Sequence, residues 1–453
     1  MTVKEVAEAV GGKLLCGDGN TTVEHISLDS RKMQGHDLFV PVIGAKTDGH
    51  KYLAGAQAAG ATAAFTSEHE TGTADFPLIR VEDTVKALQR LGHYFRSRLT
   101  MPFIGITGSV GKTSTREMVT AALSADLAVT GTAGNSNGQL GVPITLSELK
   151  EDADVAVMEM GMSEPGEMAR ISAIARVGIG IMTNIGVSHI EYLGSQENIR
   201  DEKLHISDHM GAEGVMILNG DDPLLAPLVG NLPCRTIAYG MGENCSYRAE
   251  DVRVQEGKTC FKLVTPKQRL DMELQVPGLH NVRNALAACA AADVLGVDLK
   301  GAAAQLAAYQ GFARRLQNVT LDGFTVIDDS YNASPDSMKA ALQVLSTIPC
   351  GGKRIAVLAD MLELGPDAPK YHAEVGEYAA TVRPDRIITV GSLAKSIGAA
   401  AEAGGVPVTV CESNAAAAAI LTDLIRKGDV VLLKGSNSMH LGEILETLKG
   451  IHL

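Results

Sequence analysis

"GITGSVGKTSTRE", residues 105–117, follows "PFI" and runs into "MVTAAL": an apolar strand breaks into a glycine loop and resumes as a helix. In Gly108-Ser109-Val110-Gly111-Lys112-Thr113-Ser114 the two glycines let backbone N–H groups turn toward phosphate oxygens. The lysine supplies a point charge, and the Thr113 hydroxyl can reach Mg²⁺. The dipole of the following helix adds to the same positive field. The usual GxxxxGK[ST] spacing is broken by Ile106, which stands where the first glycine would be. The strand before, the helix after and the intact GK[ST] core carry the reading instead, and they predict an ATP site.

The rest of the chain sets the frame for that loop. Its 453 residues exceed one compact core and predict two or three domains. Apolar residues at 45%, aromatics at 4%, no Trp and a formal charge of −13 fit an α/β enzyme and argue against general nucleic-acid binding. The seven cysteines, Cys16, Cys234, Cys245, Cys260, Cys289, Cys350 and Cys411, form no CxxC pair, which leaves no zinc or redox motif and predicts reduced thiols. "MTVKEVAEAVGGKLL" at the amino terminus reads as a charged amphipathic helix rather than a signal peptide. The apolar runs fall short of a membrane span, so a cytoplasmic protein is expected.

Three domains are predicted. Residues 1–98 hold short strand-like runs, "DLFVPVIG", "ATAAFTS" and "FPLIRVED", closed by the helical "TVKALQRLGHYFRSRL", and read as a small α/β domain. Residues 99–312 alternate apolar strands, "FIGIT", "DVAVMEMG", "GIGIMTNIG" and "VMILNGDDP", with helices. That pattern predicts a P-loop parallel sheet with ligands at the strand carboxyl ends. Within it, 247–276 reads as antiparallel strands and Asn281–Leu295 as an Ala-rich helix. Residues 313–453 repeat the βα alternation in "FTVIDDS", "KRIAVLADM", "DRIITVG", "VPVTVCES" and "DVVLLKGS", predicting a Rossmann-like open parallel sheet.

Phosphoryl transfer to an acceptor gathers charge on both reacting groups and calls for metal ligands beyond the P-loop hydroxyl. Glu159, ending "DVAVMEMG", and His189, following "GIGIMTNIG", stand after strands of the P-loop sheet and are the candidates. Asp221 and Asp222 in "NGDDP" are further acid candidates, with an Asp-Asp-Pro turn as the favoured reading.

With these residues assembled, the chain resembles the Mur ligase superfamily, ATP-dependent amide-forming enzymes of peptidoglycan synthesis. The supporting stretches run along the whole chain: "SLDSRKMQGHDLFVPVIGAKTDGH" (27–50), "TGSVGKTS" (107–114), "GNSNGQLGVP" (134–143), "EMGMSEPGEM" (159–168), "TNIGVSHIEYLGSQENI" (183–199), "PGLHNVRNALAA" (277–288), "DDSYNASPDSM" (328–338), "DMLELG" (360–365) and "LLKGS" (432–436). The resemblance implies that a peptide carboxylate takes the γ-phosphate of ATP to give an acyl phosphate, and that an incoming amine then displaces phosphate. It implies two Mg²⁺ sites drawing on Thr113, Glu159, His189 and Lys203, the last carbamylated, with Lys112 offsetting charge on the transferred group. It places Asn281 and Asn284 at adenine, where helix capping is the alternative for Asn281. Arg315 falls at the phosphates, Asp329 at the ribose, and Tyr331 and Asn332 near the base. On the substrate side it places Asn135 and Asn137, with Ser30, Arg31, Asp48, Gly49 and His50 on uridine diphosphate.

Within the superfamily the pattern is similar to the branch that adds the terminal dipeptide, which implies UDP-N-acetylmuramoyl-tripeptide and D-alanyl-D-alanine as substrates. Sequence leaves the oligomeric state open, and three domains that need to move fit a monomer. The sister branch that adds a diamino acid carries a "DNP" motif absent here, and folate polyglutamate ligases lack the uridine-binding domain. A non-catalytic nucleotide-binding regulator would not need the intact Lys112, Glu159, His189 and Lys203. Two positions depart from the family pattern: Arg314, where a small or apolar residue is usual, and Asn437, where Arg often follows Lys-Gly-Ser.

Overall fold

All five residues of the strand Phe103–Thr107 are buried, as a parallel strand covered on both faces must be. In the computed structural model, which describes residues 1–44, 47–71, 76–255 and 258–451, this strand lies between Val155–Glu159 and Ile179–Met182, parallel to both. The loops leaving the three strands therefore emerge side by side at one edge, which is where ligands collect in such sheets. The sheet has nine strands. It continues through Val215–Asn219 and Arg235–Gly240 in parallel and ends in the antiparallel strands Tyr247–Gln255, Lys258–Val264 and Arg269–Leu274. Residues 256 and 257 of that expected antiparallel stretch, and 45 and 46 of the first-domain motif, lie outside the described residues.

The helix after the P-loop, Lys112–Leu123, and the Ala-rich helix Leu279–Val294 share one core with the sheet. Residues Ala285 to Ala292 are fully buried without a break. A helix apolar on every side is enclosed on every side, and its small side chains let neighbouring backbones come close. It starts two residues before the expected Asn281, with Gly278 as its N-cap.

The first domain is a five-stranded sheet whose core packs against Leu140 and Ile144 of the second domain. Its helix Thr84–Arg98 is fastened to that domain by Arg96, which donates to the carbonyls of Ala175 (2.6 Å) and Arg176 (3.1 Å) and covers the Phe103 ring. The expected strand in "DLFVPVIG" is shorter than its apolar run, Asp37–Phe39, since Pro41 has no N–H for a ladder. The third domain has six strands, parallel except for the edge strand Gln317–Thr320, which runs antiparallel to Thr325–Asp329. The open parallel sheet expected there thus gains a hairpin, turned at Asp322-Gly323, a dipeptide suited to tight β-turns. The three α/β domains agree with the predicted class.

Gly131, in the strand Val129–Gly131 beside Val155–Glu159, has no room for a side chain: a methyl there would run into the Val157 carbonyl. Gly131→Ala is expected to cost about 1–3 kcal/mol through forced backbone shifts, read as a lowered midpoint in urea unfolding.

Candidate active site

The P-loop closes around its glycines. Gly108 (φ 146°) and Gly111 (φ 88°) have backbone angles that favour glycine, and a side chain on Gly108 would overlap the Thr183 hydroxyl. The following loop holds the P-loop from the side: Thr183 Oγ1 donates to the Val110 carbonyl (2.6 Å), Asn184 Oδ1 accepts from Val110 N (2.9 Å), and Gly186 N donates to Ser109 Oγ (2.9 Å). Lys112 Nζ donates to the Gly108 carbonyl at 2.8 Å. Burial pulls this ammonium below its ordinary pKa, with Glu159 acting against the shift and Arg315 adding to it.

Glu159, 1% exposed, is the hub of the polar network. Its Oε2 accepts from Thr113 Oγ1 (2.9 Å) and lies 3.4 Å from Arg116 Nη1, while Oε1 accepts from Asn137 Nδ2 (2.7 Å). Asn137 Nδ2 also donates to Asn135 Oδ1 at 2.9 Å. Lys203, at 1% exposure, is buried near Lys112. Burial, and then the charge of Lys112, lower its pKa well below that of an ordinary lysine.

The third domain completes the site. Arg315 Nη2 donates to Thr113 Oγ1 at 3.1 Å, its guanidinium stacks 4.0 Å from the Tyr331 ring centroid, and its Nε is a buried donor with no partner among the described residues. Asp329 accepts from Lys434 Nζ (2.5 Å) and from Leu316 N (3.2 Å). Burial pushes both members of the Asp329–Lys434 pair toward neutrality, and each holds the other charged. His189 Nδ1 lies 2.5 Å from Glu363 Oε2, close but oblique for a hydrogen bond. Asn284 Oδ1 accepts from Thr115 Oγ1 (3.0 Å), and Asn281 Nδ2 donates to the Pro277 carbonyl (2.7 Å). Asn281 therefore does not cap the helix.

A cleft of about 1150 Å³ opens between the second and third domains. Ser109 to Ser114, Asn135, Asn137, Glu159, His189, Asn281, Asn284, Arg315, Asp329 and Tyr331 all reach it. Lys203 is not on its surface, and Ser30, Arg31, Asp48, Gly49 and His50 form a separate cluster on the first domain. There Arg31 makes a paired contact with Asp29 (2.8 Å for each bond), holding that carboxyl well below the usual range. Asp48, at a pKa of about 2 through bonds from the His50 backbone and ring, sits 2.6 Å from His50 Nδ1. His50 Nε2 accepts from Ser67 N (3.0 Å), so the ring proton is on Nδ1. A side chain on Gly49 would press on the Pro41–Val42 backbone.

Three family models match in chain order: the Mur ligase family catalytic domain over residues 22–96, the Mur ligase middle domain over 106–292, and the Mur ligase glutamate ligase domain over 314–437. The UDP-N-acetylmuramoyl-tripeptide--D-alanyl-D-alanine ligase of Bacillus subtilis is 36% identical, with 99% of this chain and 98% of that protein covered. The chain belongs to the Mur ligase family. The enzyme of the same name from Escherichia coli is 32% identical over the same shares of the two chains. Among solved structures, MurF from Acinetobacter baumannii superimposes with a TM-score of 0.90 at 30% identity, covering 99% of both chains. MurF ligase of Thermotoga maritima in complex with ADP gives 0.82 at 26%, covering 95% and 97%.

In this Mur ligase the two departures from the family pattern touch. Arg314 Nη2 donates to Asn437 Oδ1 (3.2 Å) and to the Ser330 carbonyl (2.8 Å). A guanidinium thus stands beside position 437 although the chain there has none. Sequence reasoning assigned nothing to Arg116, Thr183, Asn184, Glu363 or Lys434. Each lies inside a motif stretch, and an unassigned charged or amide side chain in such a stretch was the available signal. Asp221 and Asp222 serve turns as expected: Asp222 accepts from Leu224 N, Leu225 N and Ile185 N, and Asp221 from Met241 N and Arg283.

His280, on the cleft wall, has its pKa lowered from 6.5 to about 4 by burial and by the nearby Lys434 and Arg283 charges. Between those values the unfolded chain binds a proton that the folded chain excludes, so this contribution to stability is full above pH 6.5 and fades as the pH falls toward 4. Urea unfolding across that range is expected to show the decline, and His280→Gln to flatten it.

Proposed function

We propose that this Mur ligase joins D-alanyl-D-alanine to UDP-N-acetylmuramoyl-tripeptide with hydrolysis of ATP to ADP and phosphate, as a monomer in the cytoplasm. The observation that carries the reading is the end-to-end match, 99% of the chain at 36% identity, to a ligase named for that reaction. The sheet boundaries support units at 1–98, 99–312 and 313–453, the first for the uridine nucleotide, the second for ATP and the third for closure and the incoming dipeptide. A single chain supplies both walls of the cleft, and no described helix is long and apolar enough to cross a membrane.

The P-loop amides and Lys112 take the β- and γ-phosphates. The orphaned Arg315 Nε, buried on a guanidinium that reaches Thr113 of the P-loop, calls for an anion. Asn281 and Asn284 face the base, and Asp329 and Tyr331 the ribose and base edge. The tripeptide carboxylate, beside Asn135 and Asn137, attacks the γ-phosphorus and ADP leaves, while Ser30, Arg31, Asp48, Gly49 and His50 hold the uridine diphosphate end of the same substrate. The dipeptide amine then adds to the acyl carbon, and phosphate departs as the amide forms.

Thr113 and Glu159 present hard oxygen donors beside the P-loop, and with His189 and Lys203 they suit Mg²⁺. When bound, that ion supplies the charge that lets two anions meet. An ammonium cannot ligate it. Burial and Lys112 favour the neutral Lys203 amine, the form that adds CO₂ and releases a proton. The resulting carbamate exchanges a cation–cation contact with Lys112 for an attractive one and brings two oxygen ligands.

Mass detection of the ligated pentapeptide with D-alanyl-D-alanine, and none with a free diamino acid and the shorter UDP-dipeptide, tests the reaction. Lys112→Ala is expected to lower turnover by about 10²–10³ while UDP-tripeptide still binds; Arg31→Ala should weaken UDP-tripeptide binding and spare ATP. Lys203→Ala should abolish ligation with the fold intact, and intact-protein mass under bicarbonate should carry the carbamate. Full turnover by Lys203→Ala would refute its role.

A further inference from the structure

Nine described residues other than glycine have a left-handed backbone, and three of them, His189, Leu316 and Glu363, line the cleft. Two of these three face each other across the domain boundary. His189 (φ 66°) comes from the second domain and Glu363 (φ 62°) from the third, with 2.5 Å between Nδ1 and Oε2. Strain of this kind in non-glycine residues persists where the surrounding structure over-determines it, and it collects at functional sites.

The "DMLELG" segment is built to present that one side chain. Asp360 Oδ1 accepts from Ala394 N (2.7 Å), Met361 N donates to His372 Nε2 (2.9 Å), and Leu362 N donates to Ser436 Oγ (3.0 Å). Met361 and Leu364 are buried in the third-domain core. With its neighbours tied down, Glu363 projects back toward the second domain. The backbones also meet there: Glu191 N donates to the Glu363 carbonyl (3.4 Å), and Gly365 lies against Glu191.

A metal-ligating imidazole is oriented by an acceptor at its other ring nitrogen, usually a carboxylate or carbonyl. Nδ1 of His189 is buried 2.5 Å from Glu363 Oε2, a close approach that a small rotation of either side chain turns into a hydrogen bond, which leaves Nε2 for a ligand. We propose that Glu363 is the positioning residue for His189: it fixes the ring with the proton on Nδ1 and Nε2 toward the metal, so that the second metal site is completed only when the third domain is seated. The inference rests on the metal reading given under Proposed function.

The test is Mn²⁺ binding to the full chain by electron paramagnetic resonance, with a non-hydrolysable ATP analogue and UDP-tripeptide present, alongside thermal unfolding. Glu363→Gly and Glu363→Asn both suit a left-handed turn and both withdraw the carboxylate from His189. Each is expected to bind the second Mn²⁺ roughly tenfold or more weakly while unfolding at or above the wild-type temperature. A second-site affinity within about twofold of wild type in either folded variant overturns the role of Glu363, against the tenfold or greater loss typical of such outer partners. If the wild-type protein itself binds one Mn²⁺ and no second, the two-metal reading fails first and takes this role with it.

Discussion

Thr113 Oγ1 is held from two domains at once. It donates to Glu159 Oε2, one strand away in its own sheet, and accepts from Arg315 Nη2, which enters from the third domain. That hydroxyl can serve both only if the strand order puts Val155–Glu159 beside the P-loop strand and the third domain sits over the cleft. The helix Leu279–Val294, fully buried from Ala285 to Ala292, and the Arg96 fastening of the first domain support this arrangement.

The chain is acidic as a whole, yet the region around the P-loop is cationic. Arg116, Lys203 and Lys434 are buried at 1–3% exposure, with Lys112 and Arg315 close by, against the buried acids Glu159 and Asp329. Buried charges without partners are costly, and two groups here are incompletely answered: the Arg315 Nε has no acceptor, and Lys203 lies near Lys112 with its pKa pulled down. A polyanionic nucleotide supplies what the first lacks, and loss of the ammonium charge relieves the second. The unanswered Arg315 donor at the cleft thus fits an anionic ligand.

The separation of the first-domain polar residues from the cleft follows from the same architecture. The first-domain residues Arg31, Asp48 and His50 are held by bonds within that domain, in turns anchored by Asp29, Asp48 and the His50–Ser67 bond. The ATP side is shared between domains.

Local chemistry made much of this legible in the sequence. Gly108 and Gly111, Lys112 and the flanking strand and helix declare a phosphate loop because backbone geometry and near-neighbour order are local properties. Glu159 and His189 were found by their places after apolar strands, and the three-domain α/β class by the change from short mixed runs to strand–helix alternation. Contacts between segments far apart in the chain were decided by the tertiary structure. The Asn437–Arg314 bond, the meeting of Glu363 with His189, the burial of Lys203 and the orphaned Arg315 Nε depend on how finished domains dock. That docking is set by packing and charge summed over surfaces that no short stretch of sequence contains, so Arg314, Asn437, His189, Lys203 and Arg315 could be named from the sequence but their surroundings, Glu363 among them, could not.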